Sequence, residues 1–111
     1  MSDARLDLSA MVRQAQELSE KLRRVQEELR HRTVSATVGG GLVEVTASGA
    51  LEVVGVRIDP QAVDPRDVEM LQDLVRAAVN QALARAKELA QDAMQKAAGV
   101  PLPFGPAGGG A

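Results

Sequence analysis

The amino-acid sequence predicts an α+β protein with the order α-β-β-β-α, in which a three-stranded antiparallel sheet is flanked by two long helices. Three observations predict this class. Apolar residues recur every three or four positions over residues 8–29, which is a helical period. The period falls to two over residues 33–58, as in strands that bury one face. The helical period then returns over residues 65–98.

The first helix is predicted from about Leu8 to His31, a stretch without proline or glycine. Its apolar residues alternate in spacing between three and four, which is the a/d repeat of a helix that packs along a narrow partner. Because the remaining chain is small, this seam is expected to pack either on a second copy of the chain or on the sheet. The seam residues are Leu8, Met11, Ala15, Leu18, Leu22, Val25 and Leu29.

Three strands are predicted next, at residues 33–38, 42–47 and 51–58. The connections, Gly39–Gly41 and Ser48-Gly49, are too short for parallel crossovers, so the strands are expected to form an antiparallel meander. A sheet of three strands leaves two open edges, which natural proteins usually protect. Dimerisation would protect them and would also cover helices that are longer than the sheet.

The second helix is predicted from about Pro65 to Ala98, with Asp64 as its N-cap and Gly99 as its stop. Its apolar stripe carries larger residues in the first half and mostly alanine in the second. Residues 1–99 are predicted to form a single domain. Residues 100–111 are rich in proline and glycine, and they are predicted to form a disordered tail.

Composition argues against several classes of function. The 111 residues include no cysteine, which excludes disulfides and thiolate chemistry, and the net charge of −2 gives no general attraction to nucleic acid. The single histidine, His31, falls at a helix end, where a solvated or capping role fits better than catalysis. The glycine run lacks the Lys-Ser or Lys-Thr pair of a phosphate loop. We therefore predict a protein that is not an enzyme, holds no metal or cofactor, and does not enter a membrane.

Basic side chains on the two helices are the candidate DNA contacts, because helices can present them to the phosphate backbone. Several of these side chains follow a carboxylate by four residues, as Arg24 follows Glu20 and Lys96 follows Asp92. Such pairs also fit an ordinary solvated helix, and the charge pattern alone favours that interpretation. The basic residues so placed are Arg13, Lys21, Arg23, Arg24 and Arg30 on the first helix and Arg76, Arg85, Lys87 and Lys96 on the second.

Four segments together resemble a known family. They are VRQAQELSEKLRRVQEEL at 12–29, GGGLVEVTASGALEVVGVRIDP at 39–60, VEMLQDLVRAAVNQAL at 68–83, and PLPFG at 101–105. In combination these segments resemble the YbaB/EbfC family of bacterial nucleoid-associated proteins over nearly the whole chain. The resemblance implies a tweezer-like homodimer with projecting helices, and it places the DNA contacts on the basic helical residues named above other than Arg76.

The resemblance also implies a function. It predicts a protein of the cytoplasm and nucleoid that binds double-stranded DNA with little sequence preference and alters its conformation. Roles in nucleoid organisation and gene regulation follow, with other nucleoid, recombination or replication proteins as candidate partners. The alternative is a protein-interaction module or adaptor that docks a partner helix along the seam, with DNA binding incidental.

Overall fold

The computed structural model describes the backbone of residues 2–99 and the side chains of residues 7–99. Its elements are α1 (Ser2–Leu29), β1 (Thr33–Val38), β2 (Val43–Ser48), β3 (Val53–Ile58), a short 3-10 helix (Pro60–Ala62) and α2 (Val68–Ala98). The predicted α-β-β-β-α order is confirmed. The predicted disordered tail, residues 100–111, lies outside the described residues.

The sheet is a meander with the strand order β1-β2-β3, and both strand pairs are antiparallel, as predicted. Its first turn contains Gly39, Gly40 and Gly41, whose φ angles of 65°, 68° and 100° are ones that side chains disfavour. On the central strand β2, Val43 and Val45 are completely buried. The inner face of this strand therefore forms the middle of the core.

The core lies between α2 and the half of the sheet made by β1 and β2. Ala78, Ala82 and Ala86 of α2 are fully buried and share one face at a spacing of four residues. Their small side chains let the helix backbone lie close to the strands. Contact between α2 and β3 is slight, so α2 leaves the same face of β3 uncovered.

The start of α2 differs from the prediction by three residues. Asp67, not Asp64, is the N-cap, and its side chain accepts a hydrogen bond from the amide of Met70 at 3.1 Å. The carboxylate of Asp64 instead accepts from the amide of Arg66 at 2.9 Å. This local turn engages the first aspartate before the helix begins. The end of α2 is as predicted, because Gly99 adopts the left-handed conformation (φ 71°, ψ 19°).

The first helix also has bounds that differ from the prediction, since it begins at Ser2 and ends at Leu29. Beyond Leu29 the hydrogen bonds change to a three-residue spacing, with His31 N to Glu28 O at 3.0 Å and Arg32 N to Leu29 O at 3.3 Å. This tight turn ends α1 and directs the chain into β1.

Candidate nucleic-acid interface

The first two-thirds of α1 projects from the rest of the subunit. Every side chain over residues 7–21 is exposed, and we call this part of the helix the arm. Burial begins only at Leu22 and Val25, which are half-buried, and becomes complete at Leu29. The arm alone contributes about 22 Å of helix to a molecule whose long axis is 79 Å.

The predicted seam is therefore divided between two environments. Its last three residues pack within the subunit, whereas its outer part faces solvent, with Leu8 62%, Met11 64% and Leu18 41% exposed. Ala15 is exposed as well. Within the described residues, the subunit supplies a partner for the inner end of the seam only.

The direction of the arm is set where α1 meets the turn between β2 and β3. A Cβ atom added to Gly49 would lie 2.7 Å from Cδ2 of Leu29 and 2.8 Å from its carbonyl oxygen. The amide of Gly49 also donates a hydrogen bond to the carbonyl of Arg32 at 2.9 Å. Because the φ of Gly49 is not in the left-handed region, the close packing is what requires glycine here. Sequence reasoning treated Gly49 only as a turn residue and missed this contact.

The structure leaves all five cations predicted on the first helix exposed, and Arg30 lies one residue beyond the end of α1. Arg24 lies 3.9 Å from Glu20, and Arg30 lies 3.2 Å from Glu27. The other three take part in none of the ion pairs that the described residues form. They are Arg13, Lys21 and Arg23.

The cations of α1 surround the side of the helix that faces away from the seam. At about 100° per residue, Arg13 and Arg24 point within about 20° of each other, opposite the seam. Arg23 and Arg30 lie on one flank, also within about 20° of each other, and Lys21 lies on the other flank. Any surface that touches this side of α1 therefore meets guanidinium groups over several turns.

Carboxylates share this outward side of the helix. Glu17, Glu20, Glu27 and Glu28 all point away from the seam, so the surface is mixed in charge rather than a basic stripe. Ion pairs between exposed side chains contribute only about 0–1 kcal/mol. The arginines can therefore exchange these carboxylates for phosphates at little cost.

The three predicted cations of α2 have different surroundings. Arg85 donates a hydrogen bond from Nη1 to the backbone carbonyl of Ser35 in β1, a contact that sequence reasoning did not anticipate. Lys96, in the last turn, lies 3.1 Å from Asp92. Lys87 is exposed and joins no ion pair among residues 7–99. Of the three, Arg85 thus has a structural role at the edge of the sheet.

A second exposed surface lies on β3, and we call it the β3 patch. It consists of Val53, Val54, Val56 and Ile58, which are 40%, 57%, 50% and 37% exposed. Val56 and Ile58 pair with the buried residues of β2, so they point to the face that α2 covers elsewhere. Exposed apolar groups on an open strand edge are typical of an interaction surface. Sequence reasoning predicted an open edge but not this apolar exposure.

Within the described residues, no cluster of three or more histidine or acidic side chains could hold a metal ion. None of the helices described is long and apolar enough to span a membrane.

Comparison with known proteins decides the family. A sequence model of the YbaB/EbfC DNA-binding family matches residues 4–100. The chain belongs to the YbaB/EbfC DNA-binding family. The match includes both helices and all three strands, so it covers the arm, the β3 patch and every predicted cation.

Relatives in this family are similar in length and sequence. A nucleoid-associated protein of Moorella thermoacetica is 50% identical over 93 residues, which cover 84% of this chain and 89% of that protein. A nucleoid-associated protein of Pelotomaculum thermopropionicum is 46% identical, with the same coverage of each chain. The crystal structure of an uncharacterized protein, HP0035 from Helicobacter pylori, has a TM-score of 0.67 at 21% identity. It covers 76% of this chain and 88% of that chain, which shows that the two share a fold.

Proposed function

We propose that this YbaB/EbfC family member is a nucleoid-associated protein that binds double-stranded DNA through phosphate contacts, with little sequence preference. The observation that carries the proposal is the arm, a projecting helix whose cations are all exposed. Arginine forms bidentate contacts with phosphate oxygens, and contacts to the backbone carry no sequence information. The curated relatives are named nucleoid-associated proteins, which supports a place at the nucleoid in the cytoplasm.

We propose further that the working form is a homodimer. The outer seam and the β3 patch both leave apolar side chains in water, and a second copy of the chain offers a matching surface. In a two-fold dimer the same patch meets itself, so the open edge of β3 can pair with its symmetry mate. Such a dimer carries two arms in a fixed relation. Two arms that hold one duplex would alter the path of that duplex. This change in DNA conformation would contribute to nucleoid organisation and gene regulation.

The test of DNA binding is a salt titration with unrelated duplexes, read by fluorescence anisotropy. Each phosphate contact contributes about −0.9 to the slope of log K against log salt. The variant R23E/R24E, which removes two exposed cations of α1 next to the arm, is expected to lower affinity and to make the slope shallower by about 2.

The matched control is R66E/R76E, which changes the net charge by the same amount. Arg66 and Arg76 are exposed and paired with Asp64 and Asp73, away from the arm. The control is expected to change the slope far less than R23E/R24E does. Equal effects of the two variants, or a flat salt response of the unmodified protein, would contradict the proposal.

Two observations favour a second candidate function. The outward side of α1 carries four glutamates, and the outer seam is open to solvent. Both features would suit a protein-interaction module or adaptor that docks a helix of a recombination, replication or nucleoid protein along the seam. A protein that co-purifies in stoichiometric amount, together with no DNA binding at physiological salt, would favour this function over the first.

A further inference from the structure

The outer seam of the arm complements itself when two copies run in opposite directions. Its four residues, Leu8, Met11, Ala15 and Leu18, are all exposed. In an antiparallel pair of arms centred on residue 13, Leu8 faces Leu18 of the second copy. Met11 then faces Ala15 of the second copy, so a long side chain lies opposite a small one. Every seam residue of the arm thus gains an apolar partner in this one register.

Charges beside the seam favour the same arrangement. Asp7 and Lys21 both occupy position g of the heptad, next to the core positions, and neither joins an ion pair among the described residues. In the antiparallel pair, Asp7 faces Lys21 of the second copy, and symmetry repeats the contact. In a parallel pair, Asp7 would face Val12 and Lys21 would face Gln26, with no opposite charges in contact. The charge pattern therefore selects the antiparallel orientation.

The residues nearest the centre of such a pair carry no charge. Val12 and Gln14 flank the seam on opposite sides, and each would face its own equivalent in the second copy. A charged side chain at either position would meet the same charge across the two-fold axis. Val12 is 50% exposed in the subunit, so the contact also removes an apolar side chain from water.

The copy that pairs with the arm differs from the copy that pairs with β3. A two-fold axis between antiparallel helices is perpendicular to them, and here it passes residue 13, about 24 Å along α1 from Leu29. The sheet meets α1 at the contact of Gly49 with Leu29, and every side chain over residues 7–21 is exposed, so no strand lies beside the arm. The axis of the arm pair therefore misses β3. Because a homodimer has one two-fold axis, the two contacts join different copies.

We propose that the outer seam binds the arm of a second dimer in an antiparallel pair centred on residue 13. The overlap covers residues 7–19, about 20 Å of helix, which is short for a helix pair, so the contact is weaker than the homodimer. Dimers that lie side by side on DNA hold their arms at high effective concentration and favour it. Arg13 and Arg24 point away from the seam and stay accessible in the pair.

The proposal goes beyond DNA binding by one dimer, because it concerns a contact between dimers and requires no DNA. It rests on the proposed homodimer only in that the second arm belongs to another dimer.

The test is disulfide capture at high protein concentration in a glutathione redox buffer, since the chain contains no cysteine. Isotope-labelled M11C is mixed with unlabelled A15C. The disulfide between the two variants is expected in about tenfold excess over both homodisulfides together, because facing thiols meet at high effective concentration. A majority of homodisulfides would indicate a parallel pair and would overturn the proposal.

The matched control mixes A10C with Q16C. These positions lie at the same level of the pair but on the outward side of the arm, and both are exposed. The control is expected to give the chance proportion, in which half of the disulfides join the two variants. The same chance proportion for M11C with A15C would also overturn the proposal.

Charge reversal tests the register. K21D, placed in both cysteine variants, is expected to lower the yield of the mixed disulfide about threefold, because two ion pairs become like-charge contacts. K87D makes the same change in net charge at an exposed site on α2 and is expected to lower the yield less. The double variant D7K/K21D is expected to restore the yield, and a failure to restore it would overturn the pairing of Asp7 with Lys21.

The mass of the particle shows which copies are linked. Oxidation of the M11C and A15C mixture is expected to at least double the mass measured by sedimentation equilibrium. An unchanged mass would place both arms in one dimer and overturn the link between dimers. The reduced sample tests the homodimer separately, since a mass of one copy there would contradict the homodimer whatever the disulfide pattern.

Discussion

The guanidinium of Arg85, on α2, donates a hydrogen bond to the backbone carbonyl of Ser35, fifty residues earlier on β1. The contact places a charged side chain over the open edge of the sheet, a device that discourages pairing with another strand. At the opposite edge, β3 presents exposed valines instead. The two edges of the same sheet are therefore unequal, and only β3 is suited to pairing.

We expect R85Q to lower the free energy of unfolding by about 1 kcal/mol, because a hydrogen bond to a backbone carbonyl is weakened or lost. Urea denaturation at fixed protein concentration measures this. If Arg85 also contacts phosphate, the salt slope of DNA binding falls by about 0.9 in the same variant. K87Q is the control, since Lys87 is exposed and belongs to no ion pair within the described residues. Equal stability of the two variants would contradict a structural role for Arg85.

We expect V56K to convert the proposed dimer into a monomer. Val56 is 50% exposed and lies in the β3 patch, where a lysine would be desolvated if a second copy covers it. Sedimentation equilibrium measures the mass of the particle. T33K, at an exposed position on the edge strand β1, is expected to keep the dimer. If the V56K protein remains dimeric, the interface does not lie on β3. The outer seam of α1 would then be the surface to test.

We expect G49A to destabilise the fold by about 1–3 kcal/mol, because the new methyl group overlaps Leu29 and its carbonyl. Urea denaturation at a fixed protein concentration measures the change. The matched control is G55A on β3, where the nearest atom to the added Cβ is 3.9 Å away. That variant is expected to be neutral or slightly stabilising, since alanine restricts the unfolded chain. Similar losses in both variants would show that the packing on Leu29 is not the cause.

The order of elements could be predicted from sequence because it follows from local periods. The change from a helical to a two-residue period marks β1, and the strand bounds there, Thr33–Val38, are those predicted. The register of β3 could not be read in the same way. Thr46 pairs with Gly55 and Ala47 with Val53, so a bulge leaves Val54 without a partner. A simple alternation does not reveal such an extra residue.

The N-cap of α2 shows a different limit. Asp64 and Asp67 both suit a cap, and Pro65 suits a first helical position, so local preferences favoured the earlier aspartate. The structure uses Asp64 in a turn and Asp67 as the cap. Two competing local hydrogen-bond patterns of similar strength cannot be ranked from the residue types alone.

The outward placement of the candidate residues on α1 was predictable from the sequence, but the geometry around them was not. The heptad placed Arg13 and Arg24 away from the seam, and both are exposed. The heptad could not show at which seam residue packing within the subunit begins, because that depends on where Leu29 meets the sheet. Nor could it show that Arg85 would find a carbonyl on β1, since that contact joins residues far apart in the sequence.

The contact between Leu29 and Gly49 is the point about which α1 would tilt relative to the sheet. Arg13 lies sixteen residues from Leu29, which is about 24 Å along the helix. A tilt of α1 by about 10° at this contact would therefore move the Cα of Arg13 by about 4 Å. Successive phosphates along one DNA strand advance by about 3.4 Å, so in the proposed complex this small rotation would be enough to change which phosphate Arg13 contacts. The absence of a side chain at Gly49 thus affects the position of charged residues several helical turns away.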